Sequence, residues 1–96
     1  MDSKQRAKLR SIASTIDATT IVGKDGLTET VLGQIDRELN ARELVKVSVL
    51  GGAEMTAKEY LKQVAEILSG EEVCSIGKKF VVYRRSNKKG IKHIEF

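Results

Sequence analysis

The chain has 96 residues, no proline, a single cysteine and a net charge of +4, which leaves room for one domain around one core. A hydrophobic share of 41% beside 31% charged residues excludes a disordered tail, and no apolar run approaches the roughly 20 residues of a membrane span. Cys74 has no second cysteine to pair with, so a secreted disulfide scaffold is excluded and a reducing, cytoplasmic setting is expected.

Ser3 to Ile16 predicts a helix, with Ser3 as N-cap and Ala7, Leu9, Ile12, Ala13 and Ile16 at helical spacing. The β-branched run at 18–22 predicts a short strand, which enters the loop Gly23-Lys24-Asp25-Gly26. A second helix opens at Thr28 as cap, with Leu27 as staple. It carries Val31, Leu32, Ile35 and Leu39 as its apolar stripe, and Gln34, Asp36, Arg37 and Glu38 are expected to face solvent. Leu44 to Leu50 is the clearest strand, ended by Gly51-Gly52. Thr56 and Glu59 form a capping box for a third helix, with Gly70 as its expected left-handed terminus. Val73–Ile76 and Phe80–Tyr83 predict a hairpin turning at Gly77-Lys78-Lys79. The order α-β-α-β-α-β-β predicts an α/β fold: a two-layer sandwich with a mixed four-stranded sheet. One domain spans 1–96, and 86–96 is expected to be a basic, partly loose tail.

Charge divides the chain more sharply than the total suggests. Residues 1–24 carry net +3, residues 25–72 net −5, and residues 73–96 net +6. Two basic ends around an acidic middle favour an anionic partner over simple solubility.

No constellation for catalysis is visible. His93 is the only histidine and has only Glu95 as a neighbouring carboxylate in sequence. One Cys and one His fall short of the roughly four ligands of a structural zinc site. Cys74 alternates within a strand as a small core residue. No metal, cofactor or small-molecule substrate is implied, nor a membrane contact. The informative feature is the glycine-flanked loop 23–26, which opens a helix. Two glycines allow close backbone approach to a phosphate, Lys24 adds a positive charge, and the helix start at Thr28 offers free N–H groups. It is neither a Walker loop nor a dinucleotide fingerprint.

The runs IVGKDGLTETVLGQID, ARELVKVSVL and VCSIGKKFVVYRRS, in this order and spacing, resemble the CRM domain (chloroplast RNA splicing and ribosome maturation). More narrowly they resemble its stand-alone bacterial, YhbY-like form. The resemblance covers nearly the whole chain. It implies a fold like the C-terminal domain of a translation initiation factor, a GxxG loop comparable to that of KH domains, and RNA binding. It also implies association with precursors of the large (50S) ribosomal subunit. The family's GxxG falls on Gly23, Lys24, Asp25 and Gly26, its ELIKV-like strand on Glu43 to Val47, and its IGxxxVLYR-like hairpin on Ile76 to Arg84. The sequence departs from the family in lacking its histidine and proline across Ser14–Ala18, and in placing an acid at Asp25.

Together these readings predict a non-catalytic protein that clamps structured ribosomal RNA through phosphates. Gly23 to Gly26 and the helix start at Thr28 would hold one stretch, and Lys78, Lys79, Arg84 and Arg85 another. Arg84 is the favoured arginine, since its guanidinium can fork onto a phosphate. Lys4, Lys8 and Arg10 would extend the surface if they share its face. The alternative is an adaptor docking its basic end on an acidic ribosomal or assembly partner; duplex DNA is disfavoured because no recognition helix is visible. A monomer is favoured, with edge-strand pairing left open.

Overall fold

A computed structural model describes residues 1–96. The first helix, α1, runs Ser3–Ala13 and is capped by Asp2 rather than Ser3. The Asp2 carboxylate accepts from Gln5 N at 2.8 Å, and Gln5 Oε1 accepts from Asp2 N at 3.1 Å. A carboxylate at a helix start also meets the positive end of the dipole, which a serine hydroxyl does not match. Strand β1 (Thr20–Val22) leads into α2 (Glu29–Arg42), whose cap Thr28 accepts from Val31 N at 3.2 Å. Strand β2 is Leu44–Val49.

Helix α3 (Ala57–Leu68) has the expected Thr56–Glu59 capping box. Its left-handed terminus is Ser69 at φ 57°, not Gly70. Gly70 answers a different need: a Cβ there would lie 2.9 Å from Val82 Cγ2 and 3.2 Å from Tyr83 O. The chain passes too close to β4 for any side chain. Strands β3 (Glu71–Ile76) and β4 (Lys79–Tyr83) form a hairpin. Its turn is the pair Gly77-Lys78, with Gly77 at φ 58°. Positive φ at the first turn position matches the twist of a tight hairpin.

The sheet order is β1-β2-β4-β3. Strands β1 and β2 are parallel, and β4 pairs antiparallel with both β2 and β3, so β1, β2 and β3 run the same way. Alternation then decides the two faces. Val45, Val47, Val49, Phe80 and Val82 point towards α2 and α3, where they meet Ile35, Leu39, Tyr60, Leu61 and Val64 in the larger core. Leu44, Val81 and Tyr83 point the other way and meet Leu9 and Ala13 of α1. The α/β class and the mixed sheet are as expected, and α1 adds a partial third layer on the face opposite the other two helices.

Several polar side chains of α2 are fastened rather than solvated. Gln34 donates to Thr19 O at 3.1 Å, Glu38 accepts from the Thr19 hydroxyl and from Thr20 Oγ1, and Asp36 pairs with Arg84. They tie the helix to the strand it follows and to the end of β4, a use that helical periodicity does not reveal.

The C-terminal segment is also fastened. Glu43 ends α2 with φ 68° and is completely buried. Its carboxylate accepts from Ser86 N at 2.7 Å, Ile94 N at 2.8 Å and His93 Nδ1 at 2.6 Å. Ser86 Oγ donates to Asn40 O at 2.6 Å, and Phe96 packs edge-on against Tyr83 with ring centroids 5.1 Å apart. Residues 86–96, expected to be loose from their polar composition, are therefore held at both ends.

Candidate nucleic-acid interface

Because three strands share one direction, their C-terminal ends lie together, and the loops leaving them form one end of the molecule. These are the turn Gly23–Gly26, the segment 50–56 and the hairpin turn Gly77-Lys78, joined by the starts of α2 and α3. Open α/β sheets place ligands outside the carboxyl ends of their strands for this reason.

Backbone hydrogen bonds lock the loops to one another. Gly26 N donates to Gly23 O at 3.0 Å, Leu50 N to Val22 O at 2.9 Å, and Val49 N to Lys78 O at 2.6 Å. Gly26 takes φ 70° and backs onto the Tyr60 phenol, where a Cβ would lie 3.5 Å from the hydroxyl oxygen. A Cβ there would be in ordinary contact with the Tyr60 phenol but would hold a strained backbone. Lys24 and Asp25 stand exposed at the tip of the turn. In the first turn of α2, Thr28 N donates to Gly26 O and Val31 N to the Thr28 hydroxyl. The amides of Glu29 and Thr30 keep no backbone acceptor. Lys78 swings over the neighbouring loop, its Nζ 3.7 Å from where a Gly51 Cβ would sit.

The structure gathers Gly23, Lys24, Asp25, Gly26, Thr28 and Lys78 at this end, with Lys79 beside them on the other face of the sheet, and places the remaining expected residues on α1 or at the far end. Lys79 points to the α1 face, where it lines a cleft of about 80 Å³ with Arg10, Lys46 and Cys74. Lys4 and Lys8 are exposed on α1, and Gln5 of the same turn lines a depression with Arg85, Tyr83 and His93 at the far end of the sheet. Arg85 stays exposed there.

Arg84 does not fit the role expected of it. Its Nη1 donates to Leu68 O at 2.8 Å and pairs with Asp36 Oδ1 at 2.9 Å. Its Nη2 donates to Asp36 O at 3.2 Å and Asn40 Oδ1 at 3.0 Å. Both Nη groups of the planar fork are engaged in tying α2 and the end of α3 to the end of β4. Arg84 and Arg85 also stand at the opposite end of β4 from Lys78 and Lys79. One surface cannot hold all four.

Electrostatics separate binding groups from structural ones. Burial works to raise the Glu43 pKa, but the Ser86, His93 and Ile94 donors and the His93 charge outweigh it, leaving the carboxyl below its ordinary range. Burial raises the Cys74 thiol despite the pull of Arg10 and Lys46. Burial and the Glu43 charge raise the Tyr83 phenol against the pull of Arg85. No three His, Cys, Asp or Glu side chains converge as a metal site, and no helix is long and apolar enough to cross a membrane.

Sequence reasoning passed over Glu43, Asn40, Ser86 and His93 as a set. The available signal was Glu43 itself, a charged residue wedged between an amphipathic stripe and the most apolar strand. A charge in that position must be neutralised by something remote.

Comparison with known proteins gives the family and the fold. Residues 1–84 match the CRS1 / YhbY (CRM) domain. Among relatives, an "RNA-binding protein" of Haemophilus influenzae is 33% identical over 86 residues, covering 90% of this chain and 87% of its own. The "Probable RNA-binding protein YqeI" of Bacillus subtilis is 34% identical over 86 residues, covering 90% of each. The solution structure of a Staphylococcus aureus hypothetical protein superposes with a TM-score of 0.79 at 38% identity, over 93% of each chain. The chain belongs to the CRS1 / YhbY (CRM) domain family.

Proposed function

We propose that this chain binds structured RNA, without catalysis, by seating its phosphates at the loop end of the sheet. The single observation that carries this reading is a convergence. The glycine turn 23–26, Lys24, Lys78 and two free amides of the α2 first turn meet at one end. Backbone donors and a helix start suit phosphate oxygens, and the lysines add charge without demanding a sequence. Lys79 and Arg10 continue the surface onto the α1 face, whereas Arg84 is a structural tie and is not a contact. Asp25 repels phosphate at the turn tip, so Lys24 matters more than in a neutral loop. That relatives bear RNA-binding names supports the same reading. Catalysis is unsupported: burial raises the Cys74 thiol, which disfavours its nucleophilic form, and the His93 ring is committed to Glu43.

The RNA we propose is ribosomal, carried in large-subunit precursors in the cytoplasm. The direct test is fluorescence anisotropy with a folded ribosomal RNA fragment across a salt series. About four phosphate contacts at this end give a log–log slope at least about 3 in magnitude, and removing Lys24 and Lys78 together as glutamines lowers it by about 1.5. A flat salt response refutes the phosphate reading. Sedimentation of cell extract tests the cargo: co-migration with large-subunit precursors, lost on nuclease treatment, is expected. Migration only as a small free species overturns the ribosomal assignment.

A further inference from the structure

The strongest unassigned charge lies at the opposite end of the sheet. Between Arg85 and Ile94 the chain carries Lys88, Lys89 and Lys92 and no acid, and Arg85 and all three lysines are exposed. This loop is anchored at both feet by one buried carboxylate, Ser86 N on one side and His93 and Ile94 N on the other. Lys88 N adds a bond to Ser86 Oγ at 3.1 Å, and Ser86 Oγ holds Asn40 O. Charges that merely keep a protein soluble need no fixed position. Here a fully buried glutamate in the left-handed region, an arrangement costly in itself, holds a loop of exposed lysines in place. The nearby acids cancel it only in part: Glu43 is spent on the anchor and Asp36 is paired with Arg84, while Glu71 and Glu72 at the same end of the sheet and Glu95 in the tail are exposed.

We infer that this anchored loop, with Arg85, is a second RNA-phosphate site, separate from the glycine-turn end and held in shape by Glu43. The separation follows from β4, which runs from Lys79 at the glycine-turn end to Tyr83, about 13 Å away at roughly 3.3 Å per residue. The inference rests on the RNA reading above and extends it: the protein grips RNA backbone at both ends of its sheet.

The test compares two exposed charge changes of equal size by anisotropy with the same folded RNA, each variant first checked for fold by circular dichroism. Lys88→Gln with Lys92→Gln is expected to lower the magnitude of the salt slope by about 1.5, so that raising salt from 50 to 200 mM weakens binding roughly eightfold less than it does for the parent. It should add to the effect of the Lys24 and Lys78 substitutions. Arg37→Gln with Lys62→Gln, at exposed positions beyond the first turns of α2 and α3, removes the same charge and is expected to leave the slope unchanged. Equal effects from the two pairs would reduce the loop to long-range charge and overturn the site. So would no effect from the loop pair, or a loop pair that binds RNA normally but loses polyglutamate binding, which would assign the loop to an acidic protein. In those cases the glycine-turn reading survives, because its own variants are scored separately. Absence of RNA binding by the parent chain would overturn both.

Discussion

Replacing Glu43 by glutamine changes almost no volume and tests how much of the fold hangs on one carboxylate. Oε2 accepts from Ser86 N and His93, and Oε1 from Ile94 N. A glutamine has one acceptor oxygen. Turned to serve Ser86 and His93, it presents its NH2 to the Ile94 N–H, donor against donor. Charge-assisted bonds of about 1.5–3 kcal/mol fall to about 0.5–1.5, and an unpaired buried N–H costs about 1–3 kcal/mol. Relief from burying a charge offsets part of this, for a net loss of about 2–4 kcal/mol. Against a total stability of about 5–15 kcal/mol, the melting temperature should fall by roughly 10–30 °C. Urea unfolding followed by circular dichroism at pH 7 measures the loss. Amide hydrogen exchange localises it, with Ser86 and Ile94 losing protection before the core strands. Glu95→Gln, at an exposed site, is the matched control and should stay within about 0.5 kcal/mol of the parent. If Glu43→Gln behaves like that control, with both amides still protected, the anchoring argument is wrong.

The same anchor sets an acid limit. The folded-state pKa of Glu43 lies below its ordinary value, so its stabilisation is complete above the unfolded value and is lost as pH falls through the folded one. The stability gap between parent and Glu43→Gln should therefore shrink on acidification through that window, and a gap constant from pH 7 to pH 3 would contradict the assignment. Arg84→Ala should destabilise by about 2–3 kcal/mol, chiefly through the carbonyls of Leu68 and Asp36, with the ion pair discounted because Asp36 is 45% exposed. Arg84→Lys should recover only part, and neither variant should alter the salt slope of RNA binding; a reduced slope would return Arg84 to the interface. Gly70→Ala should cost about 1–3 kcal/mol in thermal unfolding by driving a methyl into Val82 and the Tyr83 carbonyl, whereas an unchanged melting temperature would mean that the strand yields freely.

Most of the fold was legible in sequence because its signals are local. The stripe of α2, the Thr56–Glu59 box and the alternation of β2 each lie within one element. The same holds for the glycine turn and Lys78, whose meeting follows once the strand directions are known. What failed depended on partners far along the chain. Arg84 reads as a free arginine until Leu68, Asp36 and Asn40 close around it from 16 to 48 residues away. His93 lacks an orienting acid until Glu43 arrives from 50 residues upstream. Gly70 looks like a helix terminator because its actual constraint, the flank of β4, lies outside its own segment. Periodicity reports which face a residue takes, and says nothing of what waits there.

The position of β4 bears on how the chain comes to be folded during synthesis. Fourth in sequence, it lies between β2 and β3, and β3 touches no other strand. Until residues 79–83 leave the ribosome, only the short β1–β2 ladder can form, and α3 has no complete sheet to cover. Most of the nascent chain must therefore wait, its apolar stripes exposed to chaperones and proteases, for a single late strand that joins both halves at once. A stop anywhere before Tyr83 should leave a fragment that is degraded rather than a smaller folded protein.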